Sequence, residues 1–148
     1  MVSQPTPTQI HRRLDQLIRG MRLSLNETAR LAESGLPHTA FTAVQSALGV
    51  SAARLGQLTG IPPATLARRK KTGFTAAESD RLLRYARTLN AALQTLGDGN
   101  DGAQATQEWL DEPALALEGR RPLDHCQTEA GAEEVRNLLG ALEHGLYL

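Results

Sequence analysis

Four consecutive basic residues, Arg68-Arg69-Lys70-Lys71, follow shortly after a Pro62-Pro63 pair. Cationic side chains crowded this closely suit a polyanion, because they neutralise phosphates and can also donate to base edges in a DNA major groove. The surrounding stretch, SAARLGQLTGIPPATLARRKKTG, has an order that presents them. Ser51 is a fitting N-cap for a helix whose Ala53 is small and whose Leu55 and Leu58 are apolar. Gly60 can take the left-handed conformation that a tight inter-helix turn demands, and Ile61 then points inward. Pro62 and Pro63 suit the first turn of the next helix, where no amide hydrogen is needed. Leu66 is expected to anchor that second helix in the core.

This pattern predicts a helix-turn-helix whose second helix carries Ala64, Thr65, Arg68, Arg69, Lys70 and Lys71 to double-stranded DNA. Thr65, Arg68 and Lys71 are placed for base edges, and Arg69, Lys70 and the Ser51 amide region for phosphates. The same residues would also suit a plain helical hairpin with a solvated basic face. The basic run within a basic half of the chain favours the DNA reading. At 3% aromatic content, the chain lacks stacking platforms for single strands, so duplex DNA is preferred.

No comparable pattern supports catalysis. His11, His38, His125 and His144 are scattered without metal-ligand spacing. His125 and Cys126 are adjacent, and neighbours on a helix point about 100° apart, a poor arrangement for a catalytic pair. There is no phosphate-binding glycine loop and no Gly-x-Ser-x-Gly. The expectation is no enzyme, no cofactor and no metal. One cysteine excludes an internal disulfide framework and fits a reducing cytoplasm. No run approaches the ~20 apolar residues of a membrane span, and MVSQPTPTQIHRR lacks a signal peptide's apolar stretch. A cytoplasmic location with no membrane role is expected.

The elements that must position these residues read as helices throughout. The 148 residues are 41% hydrophobic with few aromatics, so Leu and Ala must fill the interior, which favours packed helices over a sheet. Ile10, Leu14, Leu17, Ile18 and Met21 recur at helical spacing in an amphipathic first helix. SLNETARLAESGLP and TAFTAVQSALG predict two more, the latter with Phe41, Val44, Ala47 and Leu48 on one face and Gly49 as its stop. DRLLRYARTLNAALQTLG is a long helix striped by Leu82, Tyr85, Ala86, Leu89 and Leu93. GDGNDGAQ then reads as a flexible connector. Beyond it, QATQEWLDEP is a short helix stopped by Pro113, and ALALEGRRPLD a loop with one turn of apolar anchors. TEAGAEEVRNLLGALEHG is the last helix, capped by Thr128.

Charge divides at the same connector. Met1 to Gly97 holds 13 Lys and Arg against 5 Asp and Glu, a net of +8, and Asp98 to Leu148 holds 3 against 11, a net of −8. Two halves meeting different partners would have this asymmetry, and so would two faces that attract each other within the chain. Trp109 is either a core anchor of the acidic half or an interface residue. The terminal Leu146, Tyr147 and Leu148 either fold into the chain's own core or serve a partner.

The acidic half resembles the toxin-binding region of the Xre/MbcA/ParS antitoxins. The resemblance rests on Trp109-Leu110 with Pro113 and Leu117, then Gly119-Arg120-Arg121-Pro122-Leu123-Asp124. It continues through Thr128, Gly131-Ala132, Glu134-Val135, Leu138-Leu139-Gly140, Glu143-His144-Gly145 and Tyr147. ALALEG stands where that family has a tighter Leu-Gly turn. Upstream, GIPPATLARRKKTGFTAAESDRLLRYAR resembles the family's helix-turn-helix, so the likeness covers roughly residues 35–148. It implies a cytoplasmic antitoxin that binds a cognate RES-domain toxin, an NAD-degrading protein, over its active site. It also implies binding to operator DNA and repression of its own operon. Trp109, Arg120, Arg121, Glu143, His144, Gly145, Leu146, Tyr147 and Leu148 are the expected toxin contacts.

The expected fold is therefore all-α, a helical bundle with an Xre-type helix-turn-helix followed by a small helical C-terminal module. Its expected divisions are 1–34, 35–97 and 98–148. A homodimer is expected through the first helix, on Leu14, Leu17, Ile18 and Met21, because operators for such motifs are usually two-fold. The alternative is a free-standing transcriptional regulator whose C-terminal module dimerises or senses a ligand. A pure interaction adaptor that no longer binds DNA is a third reading.

Overall fold

Five helices among the described residues start where a side chain satisfies one of their first amides. The computed structural model describes residues 4–97 and 101–145. Helices α1 (Pro7–Ile18), α2 (Leu25–Ser34) and α6 (Ala76–Leu96) begin behind Thr6, Ser24 and Thr75. Each of these hydroxyls accepts from an amide three residues on, while Gln9, Glu27 or Glu78 accepts from the cap's own amide. Ser51 caps α4 (Ala52–Thr59) and Thr128 caps α9 (Glu129–Glu143). Helices α3 (His38–Leu48), α5 (Pro63–Thr72), α7 (Gly102–Leu110) and α8 (Pro122–His125) complete the set, with a 3-10 turn at Leu115–Leu117. No strand is present among the described residues. The fold is all-α.

The long helix α6 lies at the centre, with α1, α2, α3, α4, α7 and α9 packed around it. Leu82, Leu83, Tyr85, Ala86, Leu89 and Ala92 are all buried, so α6 hides more than the single stripe expected of it. Leu93 is only partly buried. Its polar groups are matched where they go inside. Asn90 Nδ2 donates to the carbonyls of Leu17 and Met21 at 2.8 Å each, and Asn90 Oδ1 accepts from Gln94 at 2.7 Å. Ser79 Oγ accepts from the Leu36 amide at 2.8 Å.

Two expectations change. The α1 stripe is spent inside its own chain: Ile10, Leu14 and Leu17 are buried, Ile18 is partly buried, and α1 packs on α6 and α3. Met21 lies past the end of α1 and is 55% exposed. Leu14 and Leu17 are therefore no surface for a second copy. The connector expected over GDGNDGAQ also gives way to helix at Gly102, and the segments 1–34, 35–97 and 98–148 share one core. One cluster of buried residues runs from Leu14, Phe41 and Leu83 to Leu110, Leu123 and Leu139. Gly97 ends α6 and Gly102 opens α7, which packs back on α6, and residues 98–100 of the expected connector lie outside the described residues.

Asn90 ties the end of α1 to α6 with two hydrogen bonds. Asn90→Ala leaves those carbonyls without their donor and is expected to cost about 1–3 kcal/mol. The urea midpoint should fall with an unchanged slope. An unshifted midpoint would show that α1 is held by its apolar stripe alone.

Candidate nucleic-acid interface and C-terminal partner surface

The turn between α4 and α5 is built by one residue in a conformation that favours glycine. Gly60 sits at φ 69°, ψ 27°, the left-handed region, and directly after it the Ile61 amide donates to the Gly56 carbonyl at 2.9 Å. Ile61 turns inward and is buried. Pro62 then caps α5 and Pro63 is its first residue, so neither missing amide hydrogen is needed.

Helix α5 is ten residues long, about 15 Å, and none of its residues is buried. Leu66, expected as its core anchor, is only partly buried. With Pro63, Ala67 and Lys70 it lines an open groove of about 790 Å³, faced by Phe41 and Gln45 of α3 and by Ala53 and Gln57 of α4. What fastens α5 to α6 is polar. Arg69 Nε donates to Glu78 Oε1 at 2.7 Å and Nη2 to Oε2 at 2.9 Å, a bidentate pair across two helices. Glu78 is buried, and the Arg69 side chain is 18% exposed. Hydrogen bonds from Arg69 hold the Glu78 carboxyl below the usual carboxylate range.

This corrects the assignment of Arg69 to phosphate, because its guanidinium is already engaged. Glu78 was the missed partner. Its signal was present in TAAE, the capping box ahead of α6, which places a carboxylate at a fixed point beside α5. Ala64, Arg68 and Lys71 share one face at i, i+4 and i+7, all exposed, with Thr65 beside them and half-buried. Arg68 Nη2 donates to Thr65 Oγ1 at 3.1 Å. Lys70 is exposed on the groove side. Ser51 is exposed, with its hydroxyl accepting from the Arg54 amide at 3.1 Å.

Two cations of the basic half pair with the acidic half within the fold. Arg54 of α4 lies 2.5 Å from Asp111 and 3.8 Å from Asp124, and Arg84 of α6 lies 3.1 Å from Glu129. Among the described residues, Arg68, Lys70 and Lys71 are in no ion pair. Three of the unpaired cations are therefore gathered on α5.

In the acidic half, α8 and the start of α9 meet closely at Gly131. A Cβ there would fall 1.8 Å from the His125 carbonyl oxygen, so only glycine fits. Trp109 is partly buried against the core, while Arg120 and Arg121 are exposed. Arg121 lies 3.6 Å from Asp111, and Arg120 donates to the Asp124 carbonyl at 3.2 Å. Glu143, His144 and Gly145 are exposed at the far end of α9. The fourteen steps from Glu129 to Glu143 span about 21 Å. Leu146, Tyr147 and Leu148 lie outside the described residues.

The His125–Cys126 pair points two ways. His125 Nε2 lies 2.9 Å from Glu134, whereas Cys126 is buried beside Thr88, and burial pushes its thiol up to about 11. Such a thiol is a packed core group. Among the described residues no three His, Cys, Asp or Glu cluster to hold a metal, and no helix is long and apolar enough to cross a membrane.

A glycine-turned helix pair with an exposed basic second helix, sharing a core with a helical C-terminal module, defines a helix-turn-helix protein with an appended module. Residues 27–87 match the Antitoxin Xre-like helix-turn-helix domain, and residues 91–145 match the Antitoxin Xre/MbcA/ParS C-terminal toxin-binding domain. Antitoxin Xre of Photorhabdus laumondii is 30% identical over 118 residues, 78% of each chain. Antitoxin Xre of Yersinia enterocolitica is 39% identical over 97 residues, and the chain spans 64% of that relative's length. The chain belongs to the Xre/MbcA/ParS antitoxin family. Both matches reach into α6, one ending at Arg87 and the other starting at Ala91.

The Arg69–Glu78 pair has a pH signature. A carboxyl whose folded value is depressed stabilises the fold above its unfolded value, about pH 4.3, and that contribution fades as pH falls through the folded value. Glu78→Gln is expected to lower the melting temperature at pH 7, with the gap to wild type closing below about pH 4. A gap that persists unchanged into acid would show that the pair does not fasten α5.

Proposed function

We propose that the chain is the antitoxin of a type II toxin–antitoxin pair. In this reading it neutralises a RES-class, NAD-degrading toxin by binding over the toxin's active site. It also represses its own operon by binding operator DNA, as a homodimer in the cytoplasm. The observation that carries the reading is the pairing, in one chain, of an Xre-like helix-turn-helix with a toxin-binding domain of the same antitoxin family. The RES class rests on the series from Trp109 to Tyr147 that resembles the partners of such toxins. The DNA half rests on the exposed, unpaired Arg68 and Lys71 on one face of α5. A dimer in this reading has to use surfaces other than the buried Leu14 and Leu17.

Co-expression with the product of an adjoining RES-type reading frame tests the first half. The two proteins are expected to co-purify, and the toxin's NAD consumption to stop. A chain that binds DNA but no such toxin would instead be a free-standing regulator. Within the proposal Gly145, at φ 77°, turns the chain off α9, and Leu146, Tyr147 and Leu148 enter the toxin. Removing residues 145–148 is then expected to weaken toxin binding about a hundredfold without lowering the melting temperature. A large drop in melting temperature would return the tail to the core.

For DNA, Arg68→Ala with Lys71→Ala is expected to flatten the plot of log affinity against log salt, by about 0.9 for each phosphate left without its cation. Arg69→Ala should leave that slope unchanged, because its guanidinium is held by Glu78. Wild-type operator affinity in the folded double variant would end the assignment of α5 to DNA.

A further inference from the structure

Of the large apolar side chains exposed among the described residues, Leu115 stands out at 93%, against 71% for Leu25 and 55% for Met21. It lies on the 3-10 turn between α7 and α8, and that turn faces two ways. Leu117, two residues on, is buried at 2% and pins the turn to the core, while Leu115 points away from it. A chain segment that needed only to cross from α7 to α8 had no use for a leucine in water.

The segment is held tightly by its own backbone. The Ala114 amide donates to the Arg120 carbonyl at 3.0 Å, and the Gly119 amide donates back to the Ala114 carbonyl at 2.9 Å. Glu118, at φ 57°, has a left-handed backbone, and no other non-glycine among the described residues does. A side chain there carries a conformational cost that a glycine would avoid. The result is a closed loop, fixed at its base by Leu117 and at its tip by Glu118 and Gly119. A knob on such a loop loses little freedom when it docks. Its exposed neighbours carry both signs, Glu112 and Glu118 with Arg120 and Arg121, and Arg121 lies 3.6 Å from Asp111, so the patch is an apolar centre with a polar rim of mixed charge.

We propose that Leu115 is the apolar anchor of the toxin contact made by this patch, seated in an apolar depression of the toxin. The inference rests on the toxin-binding reading of residues 91–145, within which the whole loop falls. The complementary chemistry follows from the patch: leucine needs a dry pocket, and a rim of both charges needs polar groups at its edge.

The test uses the full chain and the RES-class toxin encoded beside it, in a catalytically inactive form, with affinity, melting temperature and oligomeric state measured together. Leu115→Asp is expected to weaken binding at least a hundredfold, equivalent to about 2.7 kcal/mol, with an unchanged melting temperature. Leu115→Met should bind within a few-fold of wild type, as should Leu25→Asp, which lies outside the toxin-binding segment. Wild-type affinity in Leu115→Asp would overturn the proposal while leaving the toxin-binding reading intact. A change confined to oligomeric state would assign the knob to self-association and overturn it as well. Failure of the wild-type chain to bind the toxin would remove the reading itself, and this proposal with it.

Discussion

A helix of 21 residues that buries Leu82, Leu83, Tyr85, Ala86, Leu89 and Ala92 has no solvent face wide enough to stand alone. Helix α6 is stable only because six other helices cover it, and those helices come from both halves of the chain. Tyr85 shows the constraint at one atom. Its hydroxyl lies 3.2 Å from the Leu58 carbonyl, in the first helix of the helix-turn-helix, and 3.1 Å from the Leu123 carbonyl in α8. Burial pushes this phenol well above its ordinary range, so it remains a neutral donor between the two. The helix-turn-helix and the C-terminal module are in this sense one packed body. The two family matches meet within α6 for the same reason.

Electrostatics follow the same division of labour. A net of +8 facing a net of −8 would attract over long range, but the structure resolves that attraction into specific pairs, Arg54 with Asp111 and Arg84 with Glu129. These pairs are partly exposed, and such pairs contribute little each. Their effect is to register α4 and α6 against the acidic segment and to leave particular cations unspent. Some of the charge joins the halves, and three of the unpaired cations stand together on α5.

What could be read from the sequence was local. Gly49 and Gly60 stop their helices in left-handed conformations, and Ser51 and Thr128 cap theirs, because each requirement is set by neighbours within four residues. Helix order and the all-α class followed from periodicity. What escaped depends on partners far along the chain. The amphipathicity of α1 states that one face is apolar, not whether a second copy or α6 covers it. The composition of GDGNDGAQ marks a break in the chain, but not that the core continues across it. Leu66 looked like an anchor from its spacing, yet α5 stands off the core and only partly covers it. Arg69 looks like its neighbours in a basic run, and only the fold places Glu78 against it.

The two elements richest in displayed chemistry share a manner of attachment. Helix α5 buries none of its residues and is fastened to α6 through Arg69 and Glu78, and the loop before α8 is fastened through Leu117. Substitutions at Arg68, Lys71 or Leu115 leave these fastenings intact and touch no buried side chain, so their cost to folding is small. Changes at Glu78 or Leu117 would alter the position of every displayed group at once. ALALEG contains one residue of each kind: Leu117 holds the loop and Leu115 is free of it. A chain built this way can vary what it presents to partners residue by residue, while a few buried contacts keep the presenting element in place.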